Sequence, residues 1–171
     1  MTDLSSAGTA PASPNFAWMR VRLSRIVAFG LGSGLMRPAP GTWGTLLAWL
    51  LWQPLAVVLA PLHQAVFLLA AFVLGVWACH RTGRDLGVPD HGGMVWDEMV
   101  AFWTVLWLIP GSAVAQAFGF LLFRLFDILK PPPIGYFDRK LKNGLGVMWD
   151  DLIAAFYTLL AFALYYRFMG G

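Results

Sequence analysis

Two groups of charged residues flank a long apolar stretch of the chain. Asp97 and Glu98 are adjacent carboxylates before it, and Arg124, Asp127 and Lys130 are spaced three residues apart at its end. Mg²⁺ is commonly held by one or two carboxylates together with water and phosphate oxygens. The two basic side chains could hold a phosphate while Asp127 binds the metal, or they could form ordinary ion pairs with it. These residue types suit metal-assisted phosphoryl chemistry.

The apolar stretch between the two groups predicts a helical hairpin. Residues 99–123 contain no Asp, Glu, Lys or Arg, but a Pro110-Gly111-Ser112 break interrupts them, with Ser112 as a suitable N-cap for a second helix. Asp97 lies about 14 residues before this turn and Asp127 about 16 after it. At about 1.5 Å per residue, both charged ends return to nearly the same height. The hairpin therefore brings the two charged groups together.

Acidic residues are concentrated in one part of the sequence. Eight of the nine acids fall between Asp85 and Asp151, and the predicted helices place them at one end of a bundle. So much negative charge beside apolar helices is unfavourable unless a cation neutralises it. Because cysteine is absent from the cluster, Mg²⁺ or Mn²⁺ is favoured over zinc. The predicted metal ligands are Asp97, Glu98, Asp127, Asp150 and Asp151.

The same residues can be given catalytic roles. A bound ion would screen phosphate charge and lower the pKa of a bound water, while a free carboxylate would accept the proton. Asp150 and Asp151 also have a simpler explanation, since acids in the first turn of the helix predicted at 149–168 suit the helix dipole. The predicted catalytic residues are Asp97, Glu98, Arg124, Asp127, Lys130 and Asp151.

Two further segments are candidates for binding phosphate or assisting the leaving group. Residues 37–45 are rich in Pro and Gly, and Thr42 could cap a helix whose free N–H groups bind an anion. A plain entry from loop into helix explains this segment equally well. The loop predicted at 80–93 contains His91, which could be a general acid or a solvated side chain.

The composition predicts an integral membrane protein. Hydrophobic residues make up 58% of the chain and charged residues only 12%, far below the roughly one quarter of soluble domains. The net charge of +3 is modest and its basic residues form no stripe, so nucleic-acid binding is set aside. The single cysteine, Cys79, excludes a disulfide within the chain.

The elements predicted from these patterns form one all-α domain. It is a compact multi-helix bundle over residues 16–171, polytopic in the membrane, and it follows a disordered tail at 1–15. An interfacial helix and a glycine-rich turn are predicted at 16–36, and a hairpin at 43–79 that turns at residues 61–63. Most basic residues fall at the acidic end, so the positive-inside rule places that end in the cytoplasm.

Several motifs occur in the order found in a known family. They are Gly32-Ser-Gly-Leu35, Pro40-Gly-Thr-Trp-Gly-Thr45, Asp85, Val88-Pro-Asp-His-Gly92, Val95-Trp-Asp-Glu98, Phe123-Arg-Leu-Phe-Asp127, Lys130-Pro131, Phe137-Asp-Arg139 and Gly144-Leu-Gly-Val-Met-Trp-Asp-Asp151. This pattern covers about 120 residues and resembles the phosphatidylglycerophosphatase A family of bacterial inner-membrane lipid phosphatases.

The resemblance implies Mg²⁺-dependent hydrolysis of phosphatidylglycerophosphate to phosphatidylglycerol and inorganic phosphate. It also implies a compact helical fold at the inner membrane, with the phospholipid substrate and the lipid bilayer as partners and no inferable protein partner. With the family pattern, the predicted phosphate- or substrate-binding residues are Thr42, Thr45, Asp85, His91, Arg124, Lys130 and Arg139.

Two alternatives remain open from the residues alone. A membrane phosphotransferase would differ only in using an alcohol in place of water as the attacking group. A small cation transporter would need carboxylates deep within its helices, and the runs 43–62, 99–109 and 152–166 contain none.

Overall fold

The computed structural model describes residues 13–132 and 143–169, and within these ranges it contains helices and no strand. The elements are α1 (Phe16–Arg20), α2 (Leu23–Ala28), a 3-10 helix (Gly30–Leu35), α3 (Pro40–Val58), α4 (Pro61–Leu86), α5 (Trp96–Leu108), α6 (Ala113–Leu129) and α7 (Gly144–Met169). The predicted all-α fold is confirmed. Most of the predicted tail lies outside the described residues.

Helix α5 is the centre of the bundle. Nine of its thirteen residues are buried, and α3, α4, α6 and α7 all pack against it. A helix that is apolar on every side belongs in an interior. Two indole N–H groups of α5 bind it to neighbouring helices. Trp96 donates to the Ala71 carbonyl of α4 at 2.9 Å, and Trp103 donates to the Ala48 carbonyl of α3 at 2.8 Å.

The predicted central hairpin is present. α5 ends before the exposed Pro110-Gly111 turn, and the Ser112 hydroxyl caps α6 by accepting a hydrogen bond from the Ala115 N–H. The first hairpin turns earlier than predicted, at residues 59–60. Pro61 is instead the first residue of α4, where its missing N–H costs nothing, and the Gln64 amide donates to the Leu59 carbonyl at the end of α3.

Two further boundaries differ from the prediction, each for a local reason. α3 begins at Pro40 after the left-handed Ala39, so Thr42 is inside the helix and is not its cap. α4 continues past His80 to Leu86 and stops at Gly87, which adopts the left-handed conformation typical of helix ends. The predicted loop at 80–93 is therefore half helix.

The last helix begins five residues before its predicted start at 149. The Asn143 side chain accepts a hydrogen bond from the Gly146 N–H and caps α7 at its first turn. Asp150 and Asp151 consequently lie in the second turn, where the helix dipole has little effect. The dipole explanation for these two acids is wrong.

Near the N-terminus, two short helices and a 3-10 helix replace the predicted interfacial helix and turn. Of the described helices, two are long and apolar enough to cross a bilayer: α4, with mean hydropathy 2.0, and residues Gly144–Phe168 of α7, with mean hydropathy 1.6. By contrast α5 is about 20 Å long, shorter than a hydrocarbon core of about 30 Å.

Candidate functional site

Three carboxylates from two helices meet at one end of the bundle. Asp97 and Glu98 begin α5, and Asp151 comes from the second turn of α7. Each contributes an oxygen atom to a set whose members all lie within 4.8 Å of one another. Asp97 and Asp151 are buried and Glu98 is half-buried. We refer to these three residues as the carboxylate triad.

The triad is electrostatically unfavourable on its own. Burial raises the pKa of Asp97 well above its usual range, and the charges of Glu98, Asp90 and Asp150 raise it further. Burial also raises the pKa of Glu98 to about 8, although the Arg124 guanidinium acts against this shift. Both carboxyls would ionise more easily beside an added positive charge.

Arg124 joins the two arms of the central hairpin at this site. Its Nη1 lies 3.2 Å from Glu98 Oε1 on α5 and 2.7 Å from Asp127 Oδ2, one turn further along α6. Glu98 and Asp127 therefore contact the same guanidinium. This agrees with the prediction that the two charged ends of the hairpin lie at nearly the same height. Asp127 lies next to the triad through this contact.

Lys130 and Asp150 form a second ion pair at the same end of the bundle. Lys130 Nζ lies 2.9 Å from Asp150 Oδ2, and the Asp150 side chain is almost fully buried. Among the described residues, the site thus contains five carboxylates and two cations, Arg124 and Lys130. In the described part of the chain, no Lys, Arg or His forms an ion pair with Asp97 or Asp151.

The residues present fit a hard divalent cation. Glu98 Oε2 is buried and has no hydrogen-bond partner in the described part of the chain, so it is available as a ligand. All the donors are carboxylate oxygens, the ligands that Mg²⁺ prefers. Three oxygens within 4.8 Å of one another could converge on one such ion by moving inward or through an intervening water.

The start of α3 closes over the site. A Cβ atom on Gly41 would overlap Glu98 Oε1 and lie 2.9 Å from Arg124 Nη1, so any larger residue there would displace the Glu98 carboxylate. The next residue, Thr42, is half-buried. By contrast Thr45 is fully buried and its hydroxyl donates to the Gly41 carbonyl at 2.8 Å, so its proton is already used. Sequence reasoning singled out both threonines but not Gly41.

Two other candidates have partners of their own. Asp85 receives hydrogen bonds from Arg22 at 2.8 Å and Arg25 at 2.9 Å, which tie the N-terminal segment to the end of α4. Nothing in the sequence spacing signalled that pairing.

His91 accepts a hydrogen bond from the Gly93 N–H through Nδ1, and its ring packs against Phe29. Burial and the charge of Arg37 lower the pKa of His91. This shift disfavours the charged form that a general acid would use. The last candidate, Arg139, lies outside the described residues.

Comparisons with known proteins agree on one family. The family model described as Phosphatidylglycerophosphatase A matches residues 26–166. The chain is 47% identical to a Haemophilus influenzae protein of that name, over 82% of the chain and 88% of the relative. It is 38% identical to the Escherichia coli protein of the same name, over 84% and 86%.

A third relative has a different name. A Bacteroides thetaiotaomicron protein, named as a candidate phosphatidylinositol-3-phosphatase, is 36% identical over 81% of the chain and 91% of its own length. No solved structure matches the chain.

Proposed function

The chain belongs to the phosphatidylglycerophosphatase A family, and we propose that it hydrolyses phosphatidylglycerophosphate to phosphatidylglycerol and inorganic phosphate with Mg²⁺ as its cofactor. Its class is phosphoric monoester hydrolase. The observation that carries the proposal is the carboxylate triad, whose oxygens lie within 4.8 Å of one another. Two of its three members have no cationic partner among the described residues, which supports a site for a metal and a phosphate together.

In this proposal Asp97, Glu98 and Asp151 hold the cation. Bound there, Mg²⁺ would screen the charge of the substrate phosphate and lower the pKa of a water molecule. Arg124 keeps Glu98 and Asp127 in place through its two contacts. Lys130, whose side chain is 32% exposed, is accessible to the phosphate from its position beside Asp150.

Asp127 is our candidate for the proton acceptor. Its Oδ2 contacts Arg124, so Oδ1 is the oxygen that can take a proton from the attacking water. The pair Asp127 and Arg124 lies outside the triad but is joined to it through Glu98. Asp127 would therefore contact the metal ligand Glu98 only through Arg124. Its carboxylate would not bind the metal and could accept the proton.

We further propose that the site faces the cytoplasm at the bacterial inner membrane. α4 and α7 are the helices suited to crossing the bilayer. Eleven of the twelve basic residues precede position 143, and all but Arg167 fall in segments predicted at the acidic end. Under the positive-inside rule this asymmetry supports a cytoplasmic site.

The test is phosphate release from phosphatidylglycerophosphate by purified protein with and without Mg²⁺. We expect Asp97→Asn, Glu98→Gln, Asp127→Asn and Asp151→Asn each to lose turnover while the thermal unfolding transition is retained. Asp3→Asn is the matched control, since it removes the one acid outside the 85–151 region. Full activity in EDTA would exclude the metal, and wild-type rates in all four variants would exclude the site.

The same preparation separates the competing reactions. Adding a phosphatidylinositol phosphate tests the head group suggested by the name of the Bacteroides relative. Adding an alcohol acceptor tests transfer, because a phosphotransferase would give a new phosphate ester in place of inorganic phosphate.

A further inference from the structure

One exposed face of α4 changes in chemical character along its length. Its first part carries large aliphatic side chains, which are those of Val66, Leu69 and Val73. Trp77 follows, 48% exposed, and then come the exposed side chains of Arg81 and Arg84. Each of these residues is three or four positions from the next, so all of them lie on the same face of the helix. From Val66 to Arg84 this face is about 27 Å long.

The order of these side chains matches the layers of a lipid bilayer from the hydrocarbon outward. Aliphatic side chains suit the hydrocarbon, indole rings are enriched at the interface with water, and basic residues beside a membrane helix attract anionic lipids. α4 is also one of the two described helices that are long and apolar enough to cross a bilayer. The face therefore fits a bilayer whose lipid phosphates lie at the level of Arg81 and Arg84.

The basic end of this face contains a pocket with an excess of positive charge. The pocket has a volume of about 230 Å³ and is lined by Arg81, Arg84 and Asp85. Asp85 is already paired with Arg22 and Arg25, so its charge is compensated. In the part of the chain that the structure describes, neither Arg81 nor Arg84 forms an ion pair. Four guanidinium groups beside one carboxylate make this end of α4 suitable for an anion.

The N-terminal segment brings exposed apolar side chains to the same end of α4. The Arg22 guanidinium donates to Asp85 at 2.8 Å, which holds that segment against the helix. On either side of Arg22, Val21 is 70% exposed and Leu23 is 64% exposed. Basic residues interleaved with exposed apolar ones are typical of segments that lie in the interface of an anionic membrane. A small soluble anion would not contact the apolar side chains, whereas a phospholipid presents both a phosphate and hydrocarbon.

We propose that Arg81 and Arg84 bind the phosphate of an anionic phospholipid in the surrounding leaflet, at a site separate from the carboxylate triad. A guanidinium can donate two parallel hydrogen bonds to a phosphate group. Zwitterionic lipids bind less well, because their own cationic group is repelled by the arginines. This lipid site does not depend on the phosphatase reaction, and it holds the cytoplasmic end of α4 at the level of the lipid head groups.

The test is calorimetric titration of the full chain in a nonionic detergent with short-chain lipids. The probes are dihexanoyl phosphatidylserine, dihexanoyl phosphatidylcholine and inorganic phosphate. Phosphatidylserine is chosen because it is neither the substrate nor the product of the proposed reaction. We expect it to bind more tightly than phosphatidylcholine, with a preference that falls as NaCl is added. Inorganic phosphate should bind more weakly than phosphatidylserine, and equal or tighter binding would overturn the assignment to a lipid.

Single substitutions identify the groups that bind. Arg81→Gln and Arg84→Gln should each weaken phosphatidylserine binding by about fivefold, with the melting temperature and phosphatidylcholine binding unchanged. Arg167→Gln is the matched control, since it removes an exposed arginine near the other end of α7 and should keep the wild-type affinity. Arg167 is about 35 Å along α7 from Gly144, whose backbone packs against His80 of α4.

The possible failures are distinguishable. Equal phosphatidylserine affinity in the wild type, Arg81→Gln and Arg84→Gln would overturn the lipid site. Glu98→Gln should lose phosphate release and keep the preference for phosphatidylserine. Loss of that preference in Glu98→Gln would mean that the lipid binds at the triad instead. Absence of phosphate release in the wild type would overturn the proposed function and leave the lipid titration unaffected.

Discussion

Magnesium should stabilise this protein more strongly as the pH rises, because of Glu98. Its pKa in the folded protein is raised from 4.5 to about 8. A raised pKa for an acid means that its contribution to folding is fully present below 4.5 and is lost as the pH rises toward 8. At pH 7 the loss is about 3 kcal/mol. For a chain of this size that corresponds to a fall in melting temperature of about 6–12 °C.

The assay is thermal unfolding in detergent at pH 5 and pH 8, with EDTA or with Mg²⁺. In EDTA we expect the melting temperature to be lower at pH 8, and we expect Mg²⁺ to restore most of it there and little at pH 5. Glu98→Gln removes the ionisable group, so it should melt higher than the wild type at pH 8 in EDTA and should gain less from Mg²⁺. In Glu98→Gln, part of the pH dependence of the melting temperature should remain, because the pKa of Asp97 is raised as well.

Two results would refute this reasoning. One is a melting temperature in EDTA that stays constant or increases from pH 5 to pH 8. The other is a Mg²⁺ effect of equal size at both pH values or in Glu98→Gln. Matched NaCl controls exclude general screening of charge.

Three further predictions concern single contacts. Gly41→Ala should reduce phosphate release by about a hundredfold, because its Cβ overlaps Glu98 Oε1 and a displacement of reacting groups by about 1 Å can slow a reaction that much. Gly92→Ala is the control and should keep the wild-type rate, since its Cβ meets only open space. Arg124→Lys should lower kcat by about tenfold or more, because an ammonium cannot replace a planar guanidinium between Glu98 and Asp127, while Arg81→Lys on the exposed surface is the control. Asp85→Asn should lower the melting temperature by several degrees with KM unchanged, since it breaks the pairs with Arg22 and Arg25; a raised KM at constant stability would instead favour phosphate binding by Asp85.

The position of the acids could be predicted because it depends on features visible in the sequence. A proline–glycine turn and the count of residues on either side fix the heights of the Asp97-Glu98 pair and of Asp127, and Arg124 joins Glu98 to Asp127 in the structure. The Ser112 cap could be predicted for the same reason. Both follow from backbone rules that act over one or two turns.

The remaining contacts depend on packing between distant segments. Asn143 starts α7 early, and the continuation of α4 to Leu86 places Asp85 beside Arg22, more than sixty residues away. The close approach of Gly41 to Glu98 likewise depends on how distant parts of the chain pack together. Such contacts leave no periodic signal in a single sequence. The motifs that carry the family resemblance contain Gly41, Asp85 and Glu98 but not Arg22 or Asn143, and they do not show which residues contact one another.

The central position of α5 has a consequence for how relatives can diverge. Its residues are enclosed by four other helices, so any replacement there forces changes in several neighbours at once. Selection for a new lipid head group would therefore act outside α5, on exposed segments where side chains can be exchanged one at a time. We expect differences between the Escherichia coli and Bacteroides relatives to be concentrated there, with the acids at the start of α5 inherited unaltered.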